Sequence, residues 1–357
     1  MKSDLQTAPP KRYWALGQLT LARLREFYRE PEAVFWVYGF PILLVVGLGI
    51  AFRNQPVERI TVDIIDGPQA SLVVEALAQH EKFVPRIVSP DEARIHLRTG
   101  RTELVVTRQP GTQPAYEYSF DPSRPESALA RNAVDDALQR AAGRQDVAQV
   151  TTEEFDEPGG RYIDFLVPGL LGMSLMGGGL WGVGFVTVDM RIRKLLKRFV
   201  ATPMSHSEFL GGVMLSRLLF LVPEVLILLI FARLAFGVVI YGSLLAVAFL
   251  ILLGAVTFAG LGLLVASRAK TLEAVSGLMN LVMLPMWLLS GIFFSSERFP
   301  AAVQPFINLL PLTALNNALR AVMQEGASLT TQLPEIGLLT AWATITFVLA
   351  LKLFRWV

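Results

Sequence analysis

The chain has 357 residues, of which 53% are hydrophobic and 17% charged. Soluble domains carry about 25% charged residues, so the composition is that of a polytopic membrane protein. A net charge of +2 leaves no electrostatic footprint for nucleic acid, and the absence of cysteine excludes disulfides, thiolate metal sites and cysteine nucleophiles.

Residues 1–33 form a polar, basic N-terminal segment. Within it, 11–30 has apolar residues at 13, 14, 16, 19, 21, 24, 27 and 28, with Arg23, Arg25, Arg29 and Glu30 among them. This spacing predicts an amphipathic helix lying at the inner membrane face. The alternative is a charged tail that packs on a partner. The first apolar run, 34–52, follows too long a polar segment for a cleaved signal and reads as an uncleaved anchor and first span.

The insert 53–162 reads as a small α/β domain on the outer side of the membrane. Strand patterns occur at 60–66, 82–89, 102–108 and 115–120, with helices at 71–80, from Ser89-Pro90 onward, and at 125–143. An insert of this size can bury a core of its own.

Residues 163–357 contain five more spans, at 163–188, 212–236, 243–266, 273–294 and 335–354. With 34–52 this makes six stretches long enough to cross a bilayer core of about 30 Å. Lys and Arg concentrate in the N-terminal segment, in the loop 189–211, at Arg268 and Lys270, and at Lys352 and Arg355. Six spans place all four regions on one side, so both termini are expected in the cytoplasm. The fold class expected is a polytopic α-helical membrane protein of six transmembrane helices with a small α/β extracytoplasmic domain.

A search for chemistry returns little. No G-x-x-x-x-G-K-[ST] sequence occurs, so any ATP must be used by another chain. Gly177-Gly178-Gly179 lies inside the second span and is expected to allow close helix packing. His80, His96 and His206 have no metal-ligand spacing, so no metal or other cofactor is expected. Asp135 and Asp136, near Arg131 and Arg140, read as a solvated helix face with local ion pairs. Glu224 follows Pro223 in the third span, with Arg217 two helical turns earlier on the same face. An ionisable group at membrane depth is a functional candidate. Glu224 either lines a polar route or transmits motion through a Pro kink, or it sits near an interface or pairs with a neighbouring helix. Arg217 is expected near the cytoplasmic surface, its guanidinium snorkelling to water.

The loop after the second span has its own pattern. From Met190 the apolar residues Ile192, Leu195, Leu196, Phe199 and Val200 fall on one helical face, with Arg191, Lys194, Lys197 and Arg198 opposite. Thr202-Pro203 ends this helix or starts the next, and Ser205 to Glu208 fits a capping box. The segment reads as a rigid elbow.

The stretch "LLKRFVATPMSHSEFLGGVMLSR" resembles the cytoplasmic segment of ABC-2 type (type V) exporter permeases. "REFYREPEAVFWVYGFPILL", with Pro41, is similar to their interfacial helix and first span, and "LLPLTALNNALRAV" (309–322) to the element before their last span. The insert between the first two spans resembles the subgroup with an extracytoplasmic domain. The resemblance implies two permease subunits, as homodimer or heterodimer, with two ABC ATPase subunits that bind the ATP and Mg. It implies a coupling helix at 189–204, with Arg191, Lys194, Lys197, Arg198 and Pro203 contacting the ATPase. It also implies short re-entrant helices over 295–322, with Pro311, Thr313 and Arg320. An acidic Glu-x-Gly element common in such coupling regions is replaced here by "RIRKLLKRF".

The expected function is therefore a permease in a bacterial inner membrane that exports an amphipathic substrate: a drug, a lipid-like molecule or a toxic metabolite. A periplasmic adaptor is a further expected partner. Two other classes remain open: a membrane-anchored sensor or scaffold whose outer domain binds a partner, and a proton-coupled secondary transporter using Glu224.

Overall fold

The computed structural model describes residues 14–52, 59–109, 115–145, 148, 150–151, 159–195 and 206–353, and the side chains of these except at 14–16, 206–211, 213 and 214. It divides into two compact units, Asn54–Phe155 and the remainder.

The smaller unit is built on the sheet β1 (Ile60–Ile65), β2 (Phe83–Val88), β3 (Leu104–Gln109) and β4 (Ala115–Ser119), in the order β2-β1-β3-β4. The first three strands are parallel and β4 runs antiparallel to β3. Parallel neighbours need crossover helices, here α3 (Ala70–Ala78) and α4 (Pro90–Thr99), and α5 (Pro125–Ala141) follows β4. Alternation along β1 sends Ile60, Val62 and Ile64 into a core with Val73 and Leu77 of α3 and Val134 and Leu138 of α5. Asp63 points to the opposite face, where its buried carboxylate meets His96 Nδ1 of α4 at 2.8 Å. Thr102, just before β3, donates its hydroxyl to the Thr61 and Leu104 carbonyls. Asp136 pairs with Arg140 and Arg144, and Asp135 accepts from the Tyr118 hydroxyl, an ordinary surface arrangement.

Among the described residues the larger unit begins with α1 (Trp14–Arg29) and contains six helices long and apolar enough to cross a membrane. They are α2 (Pro31–Ala51), α6 (Tyr162–Ile192), the Leu215–Phe236 part of α7 (His206–Phe236), α8 (Leu244–Ala266), α9 (Leu272–Leu289) and α12 (Leu333–Leu353), the last extended by a 3-10 turn from Leu329. Between α9 and α12 lie a 3-10 turn, α10 (Gln304–Asn308) and α11 (Pro311–Glu325). The fold is thus a helical membrane bundle with a small sheet domain.

Two departures from sequence expectation have physical causes. The fifth span ends at Leu289 rather than near 294, because Gly291 adopts φ +73 and the chain from Ser290 to Phe293 is held by side chains of α6 and α11. The second span runs on to Ile192, so Met190 and Ile192 belong to it and not to a separate coupling helix. The helix breaks at Arg193 and Lys194, with Lys194 at φ +59, and helical geometry resumes at Leu195. Helix α1 packs against the bundle. Leu19 packs on Gly212 and Phe27 on Phe220, so α1 runs beside α7 in the same direction, with Arg25 and Arg29 exposed.

The core of the bundle surrounds α6, the most enclosed of the spans. Gly179 of α6 and Gly262 of α8 let the two backbones touch, since a Cβ on either would overlap main-chain atoms of the other helix. Small residues at such crossings are how membrane helices gain packing energy where no hydrophobic drive separates them from lipid.

Candidate functional site

Helix α7 buries one stripe, which includes Arg217, Leu221, Glu224, Leu228 and Ala232. Two ionisable groups in this stripe would be prohibitive apart, and they meet: Arg217 Nη2 donates to Glu224 Oε2 at 2.9 Å, with side chains 10% and 6% exposed. Seven residues correspond to about 10 Å of helix rise, a span that the long Arg side chain closes past the Pro223 turn. The expectation that Arg217 snorkels to water is thereby corrected. Its guanidinium points along α7 toward a carboxylate, because charge pairing in a dry setting outweighs partial hydration. Of the readings left open for Glu224, the structure gives pairing, within α7 itself and with α6, whose Ser174 hydroxyl donates to it. Tyr38 of α2 lies beside the pair and shares a 3.4 Å hydrogen bond with Tyr28 of α1. Helices α6 and α7 therefore meet at one polar centre. Ser174 and Tyr38 escaped the sequence reading, although Ser174 is the one polar side chain between Asp164 and the glycine cluster.

At one end of α6 lies the basic elbow. Arg191 was expected to face an ATPase, but its Nη1 donates to the carbonyls of Ala266 at 3.0 Å and Ala269 at 3.1 Å. It thus satisfies the last carbonyl of α8 and one in the link that follows, and sits where the helix dipole favours a cation. Arg193 pairs with Asp189 at 2.9 Å and stays largely exposed, as does Lys194. Lys197, Arg198, Pro203 and the Ser205–Glu208 capping box lie outside the described residues or side chains.

At the other end of α6, Pro311 opens α11, and Thr313 is buried beside it in sequence. Arg320 lies 3.7 Å over the Phe165 ring and donates to the carbonyls of Phe165 and Gly291. Asn316, not singled out from the sequence, donates to Ser290 O at 2.9 Å, and Tyr162 donates to Phe293 O at 3.0 Å. These bonds fasten the link after α9 to α6 and α11.

The sequence-predicted residues thus occupy three separate stations rather than one site, all on α6: Phe165 under Arg320, Gly178 against Arg217, and Arg191. Successive stations are 13 residues, or about 20 Å of helix, apart. Among the described residues no group of three His, Asp or Glu side chains could hold a metal ion.

Residues 32–352 match the ABC-2 family transporter protein family. The chain belongs to that family. Among curated relatives of this ABC-2 protein is the linearmycin resistance permease protein LnrN of Bacillus subtilis (strain 168), 27% identical over 176 residues, or 49% of this chain and 46% of that protein. ABC transporter G family member 20 of Dictyostelium discoideum is 28% identical over 185 residues, 51% of this chain and 25% of that one. Nodulation protein J of Bradyrhizobium diazoefficiens is 27% identical over 205 residues, 55% of this chain and 75% of that one. The chain therefore spans less than half the length of the first two. Two of these relatives are named as permease or ABC transporter proteins.

Proposed function

We propose that the chain is the permease subunit of an ATP-driven exporter, energised by a separate ABC ATPase that binds ATP and Mg and docks at the elbow after α6. Two copies, or one copy with a related permease, complete the transporter in a bacterial inner membrane, with both termini cytoplasmic and 53–162 outside. One observation carries the reading: a single helix, α6, runs from the exposed basic elbow at Arg193 and Lys194 to the buried Arg217–Glu224 pair. Movement imposed at the elbow reaches the only ion pair that lies deep in the bundle among the described residues without passing through a loop.

The substrate class we assign is amphipathic. A cargo drawn from the bilayer needs no wide aqueous channel, and the spans α2, α9 and α12 present most of their surface outward. One relative is named for resistance to linearmycin, which accords with export of a noxious compound.

The test is reconstitution with the cognate ATPase in inverted vesicles, with flux of an amphipathic reporter as readout. Vanadate-sensitive, ATP-dependent uptake is expected, and replacing Lys194, Lys197 and Arg198 by Glu should abolish ATPase capture. Flux that persists without any ATPase and vanishes in Glu224→Gln would instead establish a proton-coupled secondary transporter. Absence of flux with intact partner binding by the outer domain would establish a scaffold.

A further inference from the structure

Three small residues follow one another at four-residue spacing on α6: Ser174, Gly178 and Gly182. At this spacing they share one face of the helix. Each meets the charge pair of α7. Ser174 bonds to Glu224, Gly178 lies under the guanidinium of Arg217, and Gly182 lies beside the Arg217 stem. A Cβ at Gly178 would fall on the guanidinium itself, so only glycine leaves room for it there, while a Cβ at Gly182 would stand 3.3 Å from Arg217 Cδ. By contrast, a Cβ at the adjacent Gly177 would meet nothing within 4 Å. The second observation is local backbone geometry. After Gly178, α6 opens into a π-helical turn over Leu180–Phe185 that contains Gly182, a break in regular helix that is frequent at functional sites.

We infer that Gly178 and Gly182 are positioning residues: they form a socket that seats the Arg217–Glu224 pair on α6 at its π-helical turn, so that the pair couples α7 to the helix leading to the elbow. The inference rests on the permease reading for its role in transport, but the socket itself is a statement about packing and is tested separately.

The test uses the full chain in lipid nanodiscs. Thermal unfolding is measured for Gly178→Ala, Gly182→Ala and Gly177→Ala, each in the native background and in Arg217→Met/Glu224→Gln. In the native background Gly178→Ala is expected to lower the midpoint most, Gly182→Ala less, and Gly177→Ala not at all. Without the pair, the penalty at Gly178 should shrink or change sign, since Ala is the better helix former. Equal penalties in both backgrounds would overturn the inference. Should Gly178→Ala yield no folded protein, the Gly182→Ala cycle reads the same coupling.

The transport arm adds the ATPase. Gly178→Ala should cut ATP-driven turnover about tenfold with ATPase binding intact, and Arg217→Lys, whose slimmer ammonium needs less room, should restore part of it. Turnover equal to wild type in Gly178→Ala would overturn the coupling role. Absence of ATP-driven turnover in the wild type would sink the permease reading, while the thermal cycle would still decide the socket.

Discussion

Arg217 and Glu224 show how one pair of residues sets both a risk and a function. Each charge is out of water, and each is tolerable only because the other is 2.9 Å away. Removing one partner strands the other, whereas removing both charges leaves only a packing defect. Arg217→Met is therefore expected to cost about 3 kcal/mol, and Arg217→Met/Glu224→Gln less than the single change, in thermal unfolding of the reconstituted protein. A double variant as unstable as the single one would mean that the pair is not the main interaction of either group. The sequence told that the two residues share a helix face, because seven residues make two turns. It did not tell which way the Arg side chain turns, because that depends on a gap at Gly178 on another helix. Spacing within an element is legible, while a cavity shared between elements is written in no one segment.

At the scale of the element, the helices explain themselves by their ends. In the sheet domain α4 starts with a complete capping box: Ser89 Oγ accepts from the Glu92 amide, and the Glu92 carboxylate accepts from the Ser89 amide and hydroxyl. These bonds, that to the amide first, hold the Glu92 carboxyl below the usual range. A depressed carboxyl adds stability above its unfolded value, about pH 4.3, and loses it as pH falls through the lower folded value. Hydrogen-exchange protection of the first turn of α4, corrected for intrinsic rates, should fall in that acid window, and Ser89→Ala should remove the step. The Ser-Pro-Asp-Glu start was legible because every group in it is local. The elbow was less so. Its apolar stripe continues across Arg193 and Lys194, yet the backbone breaks there, and Arg191 is drawn to carbonyls at the end of α8 and just beyond it, 75 and 78 residues away in sequence. An internal brace and a docking contact behave differently when removed. Arg191→Ala should lower stability by about 1 kcal/mol and leave ATPase capture intact in a pull-down, while Lys194→Glu should do the reverse. Loss of capture in Arg191→Ala at unchanged stability would return that residue to the docking surface.

For the whole molecule, α6 acts as the spine. Arg320 stacks on it at Phe165, the charge pair rests on it near Gly178, and Arg191 ties its far end to α8. From Phe165 to Arg191 is about 39 Å of helix, more than the roughly 30 Å of a bilayer core, so these two stations belong at opposite membrane faces. On the proposed topology the Arg191 end, where Arg193, Lys194, Arg268 and Lys270 cluster, is the cytoplasmic one, as the positive-inside rule expects. The sheet domain joins the chain between α2 and the Phe165 end of α6, so the same proposal puts it outside. The absence of native cysteine makes this directly testable. Leu129→Cys, at a side chain 67% exposed on α5, should react with a membrane-impermeant maleimide in intact cells. Arg268→Cys, exposed in the α8–α9 link, should react only after permeabilisation. The opposite pattern would invert the orientation and move the elbow away from any cytoplasmic ATPase. Labelling of both sites in intact cells would contradict a fixed membrane topology. The expected pattern would put the basic elbow where an ATPase can reach it and leave the Arg320 station at the face toward which cargo leaves.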